Sequence, residues 1–349
     1  MGRTELGERL KRVRYAASFL RRGMVHVNLQ VLYQCNFRCR ICDFWKRRYQ
    51  EMPQLGADQA RLIADKLDEL GPQIVSIGGG EPLMHPEIVT IARILSRRHL
   101  PVMITNGWFV TPELARSLFE AGMYEVSVSV DYAEAGRHDA QRGCKGAYDG
   151  AIAALEILQA NRTRPYQRVH MISVAMADNL DEIEPLIRLC GKMGITYLVT
   201  LYSDGRGQRD LSCVAGDASA RLLALKERYP GFVSLRGYLG RFNGAAPAAR
   251  HDRCFAGLNL MNIDCRGSVS LCIDRADEVV GNLLEETTEA IRRKLLARYR
   301  DNQCRSCWTS CRGSIETLMY GGDRLANLRD LYGMTKPVPL APEAVRRRG

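Results

Sequence analysis

The chain has 349 residues, of which 46% are hydrophobic, and a formal net charge of +11, which suit one large domain with a smaller appendage. No apolar run approaches the roughly 18 to 20 residues of a membrane span, and the charged N-terminus lacks the apolar segment of a signal peptide, so we expect a cytoplasmic protein. The positive charge is spread without a basic, aromatic-rich stripe, which argues against stable binding to nucleic acid.

The first predicted element is an amphipathic helix within residues 1–23. Its apolar residues follow steps of four and three along the chain: Leu6, Leu10, Val13, Ala17 and Leu20. Basic residues occupy the other face, and Gly23 provides a stop. Packing of this helix on the main domain is the simpler interpretation. Peripheral contact with a membrane is the less favoured alternative, because the apolar face is short and carries one aromatic residue, Phe19.

Residues 24–210 alternate extended apolar segments with segments of helical period. Six of the extended segments are typical of strands: 25–33, 73–77, 101–105, 124–130, 168–176 and 196–201. One helix between them has marked ends, with Thr111 as N-cap, Pro112 at the first position and Gly122 after the last turn. Six successive βα units predict an α/β fold with parallel strands, a partial (β/α)6 TIM-like barrel whose reactive loops follow the carboxyl ends of the strands.

The regular alternation of predicted strands and helices ends after the barrel. Residues 211–253 are rich in glycine, with one helical segment near 217–229, and are predicted to be a connector. Residues 254–349 hold six of the twelve cysteines in short segments. We therefore expect a small cysteine-rich domain that is organised by a metal centre rather than by a large core.

A cysteine triplet directly follows the first predicted strand. Cys35, Cys39 and Cys42 form a CxxxCxxC run, and twelve cysteines in a chain without an export signal favour metal or redox chemistry over disulfides. Thiolates suit iron-sulfur clusters or zinc. A structural zinc site needs four ligands, and the nearest histidine, His26, lies back on the strand. Three thiolates on a [4Fe-4S] cluster would instead leave one iron open for an exogenous ligand.

This motif, on the loop after the first strand of a βα barrel, resembles the radical S-adenosylmethionine (SAM) superfamily, and the resemblance extends over about residues 20–210. It implies that SAM chelates the open iron through its amino and carboxylate groups. An electron from the cluster would then break the sulfur-carbon bond to give a 5′-deoxyadenosyl radical. The resemblance implies an external electron donor of the flavodoxin or ferredoxin type, while the protein positions the cofactor that carries the chemistry.

The same resemblance assigns SAM contacts to the loops after the second and third strands. Gly79, Gly80 and Glu81 belong to a segment similar to the GGE motif, in which the glycines let the backbone approach the SAM amino group and the acid helps to bind it. Asn106 belongs to a segment similar to the TNG motif. Without the resemblance, the first segment is a glycine-rich turn and the second an Asn-Gly turn signal.

Later strands supply further candidate contacts. Ser129, at the end of the fourth strand, is similar to the serine that lies near the SAM ribose, and Arg142 stands where an arginine often meets the SAM carboxylate. A plain surface role is an equal alternative for both. Asn179 matches a recurrent asparagine, but a helix N-cap explains it equally well. Ile41 departs from the family pattern, because the residue before the third cysteine is often aromatic and stacks near adenine.

The second cysteine set resembles the SPASM/twitch extension, which holds auxiliary [4Fe-4S] clusters beside the barrel. The full SPASM pattern has seven cysteines and two clusters, so the smaller set here favours one auxiliary cluster of the twitch type. The predicted ligands are Cys254, Cys272, Cys304 and Cys307, with Cys311 competing for a place. A zinc site with four thiolates is the alternative.

The remaining cysteines are not predicted to be metal ligands. Cys265 fits no expected position in the second set. Cys144, Cys190 and Cys213 are interpreted as ordinary thiols, because buried cysteine is common in protein cores.

The resemblance favours hydrogen abstraction followed by dehydrogenation, epimerisation or cross-link formation, and it leaves the substrate open. A small molecule such as a sugar, an aminocyclitol or a lipid is favoured over a peptide, because we find no additional N-terminal domain of the kind that captures leader peptides. A peptide or protein maturase is the alternative. No catalytic residue is assigned, and Tyr202, Asp204 and Arg206 are candidates by position alone.

Two other functions remain open at this point. A radical SAM methylase, or another SAM-consuming transferase, would release methylthioadenosine or S-adenosylhomocysteine. A non-catalytic metal protein that binds nucleic acid would account for the cysteines and the basic charge. It would not account for glycine and asparagine motifs at successive strand ends.

Overall fold

The computed structural model describes residues 3–203, 217–243, 254–305, 307–322, 324–335 and 340. In this part of the chain the strands are β1 (His26–Leu32), β2 (Ile74–Gly79), β3 (Leu100–Thr105), β4 (Glu125–Ser129), β5 (Arg168–Ala175), β6 (Thr196–Leu201), β7 (Leu260–Ile263), β8 (Ser268–Ser270) and β9 (Val279–Asn282). The candidates Asp204 and Arg206, together with Cys213, lie outside the described residues.

Helices follow or precede these strands along the chain. They are α1 (Arg3–Leu20), α2 (Arg47–Gln50), α3 (Ala57–Asp68), α4 (Ile88–Ser96), α5 (Pro112–Glu120), α6 (Ala135–Arg142), α7 (Ala147–Asn161), α8 (Ile183–Met193), α9 (Ala218–Arg228), α10 (Arg236–Leu239), α11 (Thr288–Arg300), α12 (Ser310–Tyr320) and α13 (Arg324–Thr335). The helical segment predicted near 217–229 is therefore present as α9. No helix in the described residues is long and apolar enough to span a bilayer.

All six strands predicted for the barrel are confirmed. They lie side by side in chain order, β6-β5-β4-β3-β2-β1, and each neighbouring pair is parallel. Because the strands are parallel, their carboxyl ends and the loops that follow them lie at one edge of the sheet. The α/β fold predicted from the sequence is confirmed. The predicted SAM contacts Gly79, Gly80, Glu81, Asn106 and Ser129 stand at this edge, whereas Arg142 is the last residue of α6.

The predicted boundaries of α5 are confirmed in atomic detail. Thr111 Oγ1 accepts a hydrogen bond from the Leu114 backbone N-H at 3.2 Å, and Pro112 occupies the first helical position. After the helix, Gly122 adopts a φ of +98°, a conformation that glycine adopts without a steric penalty. Local sequence chemistry therefore fixes the connection between β3 and β4.

The C-terminal part continues the sheet instead of forming a separate small body. β7 pairs in parallel with β1, with His26 opposite Leu260, and β8 and β9 extend the sheet antiparallel. Buried residues of this part, among them Trp308, belong to the same apolar core as the barrel. The cysteine-rich C-terminal part thus shares its apolar core with the barrel, and its strand β7 covers the edge of β1 that would otherwise be exposed.

Helix α1 packs through a different face from the one predicted. Leu10, Val13 and Leu20 are 59%, 65% and 84% exposed. The inner face is partly basic: the buried Lys11 donates a hydrogen bond to the Ser96 carbonyl at 2.8 Å, and other residues of the helix pack against the core or stack on aromatic rings of the barrel. The spacing of apolar residues predicted the wrong buried face of α1. A long basic side chain can bury its aliphatic part while its charged end forms a hydrogen bond.

Candidate functional site

The cysteine triplet occupies the loop between β1 and α2. Cys39 is buried, while Cys35 and Cys42 are half-buried. The backbone N-H groups of Phe37 and Phe44 each donate to a sulfur, Cys35 Sγ and Cys42 Sγ, at 3.5 Å. Burial raises the pKa of Cys35 to about 12, and the neighbouring Cys39 and Cys42 contribute to the increase. The three thiols are therefore close enough to interact electrostatically.

A buried arginine joins this triplet to the loop after β4. The Arg142 guanidinium hydrogen-bonds the Cys39 thiol, and its Nη2 lies 2.6 Å from Asp131 Oδ2. Asp131 is fully buried, and burial raises its pKa although the guanidinium opposes that effect. Arg142 also lines the central cavity. A cation in this position can serve both the cluster site and the carboxylate of a bound ligand.

The glycine segment after β2 lies directly against the loop that carries the cysteines. A Cβ atom on Gly79 would lie 1.8 Å from the Leu32 carbonyl oxygen, and one on Gly80 would lie 2.0 Å from the Gln34 carbonyl oxygen. Gly79 also has a φ of +125°. Both glycines line the cavity, so their lack of side chains keeps two loops in contact while leaving backbone atoms accessible to a ligand.

We expect Gly79→Ala to reduce SAM binding by at least about tenfold, on the scale of supporting contacts around cofactor sites. The added methyl group would force the loops apart. Gly78→Ala is the matched control, because its Cβ would meet only Gln30 Oε1, at an ordinary 3.6 Å. Equilibrium dialysis of radiolabelled SAM with both reconstituted variants makes the comparison. Equal affinities would contradict the role given to the close contact.

Glu81 and Asn106 make internal contacts in the structure. The fully buried Glu81 carboxylate accepts hydrogen bonds from Leu83 N at 3.0 Å, Thr105 Oγ1 at 2.6 Å and Asn106 N at 2.8 Å. Burial raises its pKa to about 6. The Asn106 side chain donates to Asn36 Oδ1 at 2.8 Å. Both residues therefore brace the loops, and their predicted contact with SAM stays a prediction.

The remaining candidates differ in their access to the cavity. Ser129, Tyr202 and Ile41 line it, and Ile41 packs against the buried cluster that includes Tyr202. Asn179 is fully buried, and its side chain donates to the carbonyl oxygens of Asp131 and Val174 at 3.0 and 2.8 Å. The side-chain N-cap considered for Asn179 is absent.

Four cysteines of the second set lie along one cavity wall. The Cys254 backbone N-H donates to the Cys304 carbonyl at 3.2 Å. Burial raises the pKa of the Cys272 thiol, and the charges of Cys307 and Cys254 add to this increase. The charges of Cys254 and Cys304 also raise the pKa of the Cys307 thiol. Burial raises the pKa of Cys254 to about 11 and that of Cys307 to about 12. Four thiols from three separate segments thus face a common space.

Cys311, the competing ligand, has other partners. Its thiol donates to Asn28 Oδ1 at 3.7 Å, and it also hydrogen-bonds the His26 side chain. Cys265 is buried near Tyr33. The structure therefore brings four of the five predicted auxiliary ligands together, and the fifth lines the same cavity while it also contacts β1.

Sequence reasoning missed a buried arginine beside the second set. Arg312 is 2% exposed and donates to the Cys307 carbonyl at 2.7 Å and to Glu316 at 2.9 Å. Burial lowers its pKa, but the charges of Cys254 and Glu316 outweigh burial and raise it. Both partners lie within five residues of Arg312 in the sequence, so its i,i+4 spacing from Glu316 was the available local signal.

Both cysteine sets border one cavity of about 350 Å³. Cys42 and the glycine segment enter its wall from the loops after β1 and β2, and Cys254, Cys272, Cys304 and Cys307 enter from the C-terminal part. Among the described residues no group of three or more histidine, cysteine, aspartate or glutamate side chains is placed to hold a single metal ion. Ligands of a multi-iron cluster need not converge on one ion, since they bind different irons.

A ligand in this cavity would touch both cysteine sets at once. Two thiolate-held centres with a common ligand between them are the layout of an iron-sulfur redox enzyme, whereas a structural metal protein closes its sites away from ligands. Comparison with known families agrees: residues 29–190 match the radical SAM superfamily, and residues 254–311 match the SPASM iron-sulfur cluster-binding domain. The chain belongs to the radical SAM superfamily and carries a SPASM domain.

Relatives of the chain support this assignment. An AdoMet-dependent heme synthase of Methanosarcina barkeri is 33% identical over 176 residues, which are 50% of this chain and 49% of that protein. The mycofactocin maturase MftC of Mycobacterium tuberculosis is 27% identical over 306 residues, 81% of this chain and 76% of that protein. The chain thus spans about half of the first relative and three quarters of the second.

A solved structure with the same fold is that of Streptococcus suis SuiB bound to the precursor peptide SuiA. It has a TM-score of 0.60 at 15% identity, covering 89% of this chain and 70% of SuiB. The radical SAM and SPASM domains imply SAM, a SAM-binding [4Fe-4S] cluster and auxiliary iron-sulfur as cofactors. The residues present fit these groups, because buried thiols, hydrogen-bond donors to sulfur and a glycine cradle surround one cavity.

Proposed function

We propose that the chain is a radical SAM maturase that abstracts a hydrogen atom from a peptide or protein substrate. The cavity bordered by both cysteine sets carries this proposal. The relative whose similarity extends through both domains is named a maturase, and a neighbour of the same fold is described with a precursor peptide. These comparisons favour the peptide alternative over the small-molecule substrate expected from the sequence.

Residues on two opposite walls of the cavity would have separate roles. Cys35, Cys39 and Cys42 would hold the SAM-binding cluster, and the backbone at Gly79 and Gly80 would meet the SAM amino group. When bound, this pair of cofactors supplies the 5′-deoxyadenosyl radical that takes hydrogen from the substrate.

Two further side chains would orient the SAM molecule. Arg142, in the cavity wall beside Cys39, is placed to attract the SAM carboxylate, and Ser129 is available to its ribose. Tyr202 would provide the aromatic surface that Ile41 lacks, since both side chains border the same space. Charge-assisted and aromatic contacts of this kind fix a ligand's position more than they change its chemistry.

On the opposite wall, Cys254, Cys272, Cys304 and Cys307 would hold one auxiliary [4Fe-4S] cluster. Its place beside the cavity suits the exchange of an electron with the substrate. We assign residues 24–210 to the barrel, 211–253 to the connector and 254–349 to the auxiliary domain. The reducing electron would come from a flavodoxin- or ferredoxin-type donor.

Hydrogen abstraction can reveal the substrate class before the substrate is known. Extract from host cells grown in D2O is separated into a fraction of peptides and proteins and a fraction of small metabolites. Each fraction is added to the reconstituted enzyme with SAM and dithionite in H2O, and the 5′-deoxyadenosine is examined by mass spectrometry. We expect deuterium in the product with the peptide fraction alone, and its loss after protease treatment. Label from the metabolite fraction alone would overturn the proposal.

A further inference from the structure

Strands β1 and β2 contribute an uncharged polar surface to the cavity. Asn28 and Gln30 of β1 and Ser76 of β2 line it, and together they are called the polar floor. Asn28 lies opposite Ser76 in the register of the two parallel strands, and Gln30 lies opposite Gly78. Asn28 and Gln30 belong to one face of β1, because alternate residues of a strand point the same way. The polar floor therefore suits a ligand group that is polar and uncharged.

A chain of hydrogen bonds fixes the orientation of the Gln30 amide. Its Nε2 donates to Asn262 Oδ1 at 3.1 Å, and Asn262 Nδ2 donates to Ser270 Oγ at 3.2 Å. Ser270 Oγ donates to the Cys272 backbone carbonyl oxygen at 3.3 Å. Because a carbonyl oxygen can only accept, Ser270 uses its single proton there and must accept from Asn262. Asn262 then presents its oxygen to Gln30, so Gln30 donates through Nε2, which leaves Oε1 for another partner.

The Gln30 side-chain oxygen has no such partner in the described part of the chain. Gln30 is 1% exposed, and its Oε1 is a buried atom without a hydrogen bond. A Cβ atom on Gly78 would lie 3.6 Å from this oxygen, so the glycine leaves that side of it free of a side chain. Both residues line the cavity. A buried acceptor without a partner calls for the N-H or O-H group of a bound molecule.

The barrel strands around the polar floor offer no charge to such a molecule. Ile104 of β3 and Ile172 and Val174 of β5 supply aliphatic surface to the cavity. In the described part of the chain, the charged residues of the cavity wall all lie outside β1 to β6, on α6 and in the C-terminal part: Arg142, Asp274, Arg275 and Arg312. A neutral amide with an aliphatic side chain therefore matches this region better than an ammonium or carboxylate group does.

We propose that Gln30 is a specificity-determining residue whose Oε1 accepts a hydrogen bond from a backbone N-H group of the peptide substrate. The inference rests on the proposed function and names the part of the substrate that the polar floor recognises. A peptide offers one backbone N-H at every residue except proline, which lacks it. The position of the substrate that contacts Gln30 therefore excludes proline.

The fraction of peptides and proteins from cells grown in D2O serves as the probe. Wild type, Gln30→Met, Gln30→Glu and the control Gln73→Met are reconstituted, and the rate of formation of deuterated 5′-deoxyadenosine is measured against the amount of this fraction. Gln30→Met keeps the side-chain length but removes the acceptor, so the half-saturating amount should rise at least about fivefold, the scale of one hydrogen bond. Gln30→Glu keeps an acceptor oxygen and should stay within about twofold of the wild type.

The control variant removes a buried amide elsewhere. Gln73 is 0% exposed and does not line the cavity, so Gln73→Met should match the wild type. An unchanged half-saturating amount in Gln30→Met would overturn the inference and leave the proposed function standing. A Gln30→Glu variant as weak as Gln30→Met would also overturn it, because the substrate group would then be an acceptor. Label from the metabolite fraction alone would instead refute the proposed function itself.

A second variant tests the same contact with Gln30 intact. Iron content of about eight atoms per chain shows that a variant is folded and loaded. If Gln30→Met fails this check, Gly78→Ala takes its place, because the added methyl group would stand 3.6 Å from Gln30 Oε1 on the side that the glycine leaves free. Gly78→Ala should raise the half-saturating amount of the peptide fraction while it keeps the SAM affinity of the wild type. An unchanged half-saturating amount would contradict the inference.

Discussion

Replacing Cys35, Cys39 and Cys42 together by alanine is expected to lower the iron content of the reconstituted protein from about eight to about four atoms per chain, since each [4Fe-4S] cluster holds four. Production of 5′-deoxyadenosine from SAM and dithionite should fall to background. The cluster held by these thiolates delivers the electron that breaks the sulfur-carbon bond, and no other described cysteines share their loop. Iron and sulfide assays with mass spectrometry measure both effects.

A control with equal mutational burden is available in the same chain. Cys190, Cys213 and Cys265 are predicted to ligate no cluster, and their joint replacement by alanine should leave about eight irons and normal cleavage of SAM. Circular dichroism of both triple variants shows whether each has folded. Cleavage of SAM by the folded Cys35/Cys39/Cys42 variant would contradict the assignment of the radical-generating site.

Strand positions were predictable because each strand of the parallel sheet is a short apolar run bounded by turn residues. The motif residues of the loops were predictable in position, but their partners were not. Glu81 shows the difference. It occupies the expected position, but its carboxylate accepts hydrogen bonds from three groups of the protein itself. A motif specifies where a residue stands, while its hydrogen bonds depend on loops distant in the sequence.

The sequence of β1 contains a polar pattern whose meaning residue spacing alone could not establish. His26, Asn28 and Gln30 alternate with apolar residues along β1, which marks one polar face. Whether that face borders solvent, core or cavity depends on β7 and α12, which follow more than 200 residues later. The same distance explains why the pairing of β7 with β1 was missed.

Removal of one auxiliary ligand should have an effect distinct from that of the triple variant. Cys272→Ala and Cys307→Ala are each expected to lower the iron content from about eight to about four atoms per chain. Reductive cleavage of SAM should persist, because the Cys35/Cys39/Cys42 site is intact. The midpoint of thermal unfolding should also fall, since a bound cluster contributes its binding energy to the folded state. Cys265→Ala is the control, a buried thiol near Tyr33 and outside the assembled set.

These iron counts decide the structure of the second wall of the cavity. If Cys272→Ala loses four irons and Cys311→Ala loses none, the four ligands are those that the structure brings together. If Cys272→Ala keeps all of its iron, the second wall is not built around that cysteine. The exchange of electrons between an auxiliary cluster and the substrate would then lose its structural basis, because Cys272 enters the cavity wall with Cys254, Cys304 and Cys307.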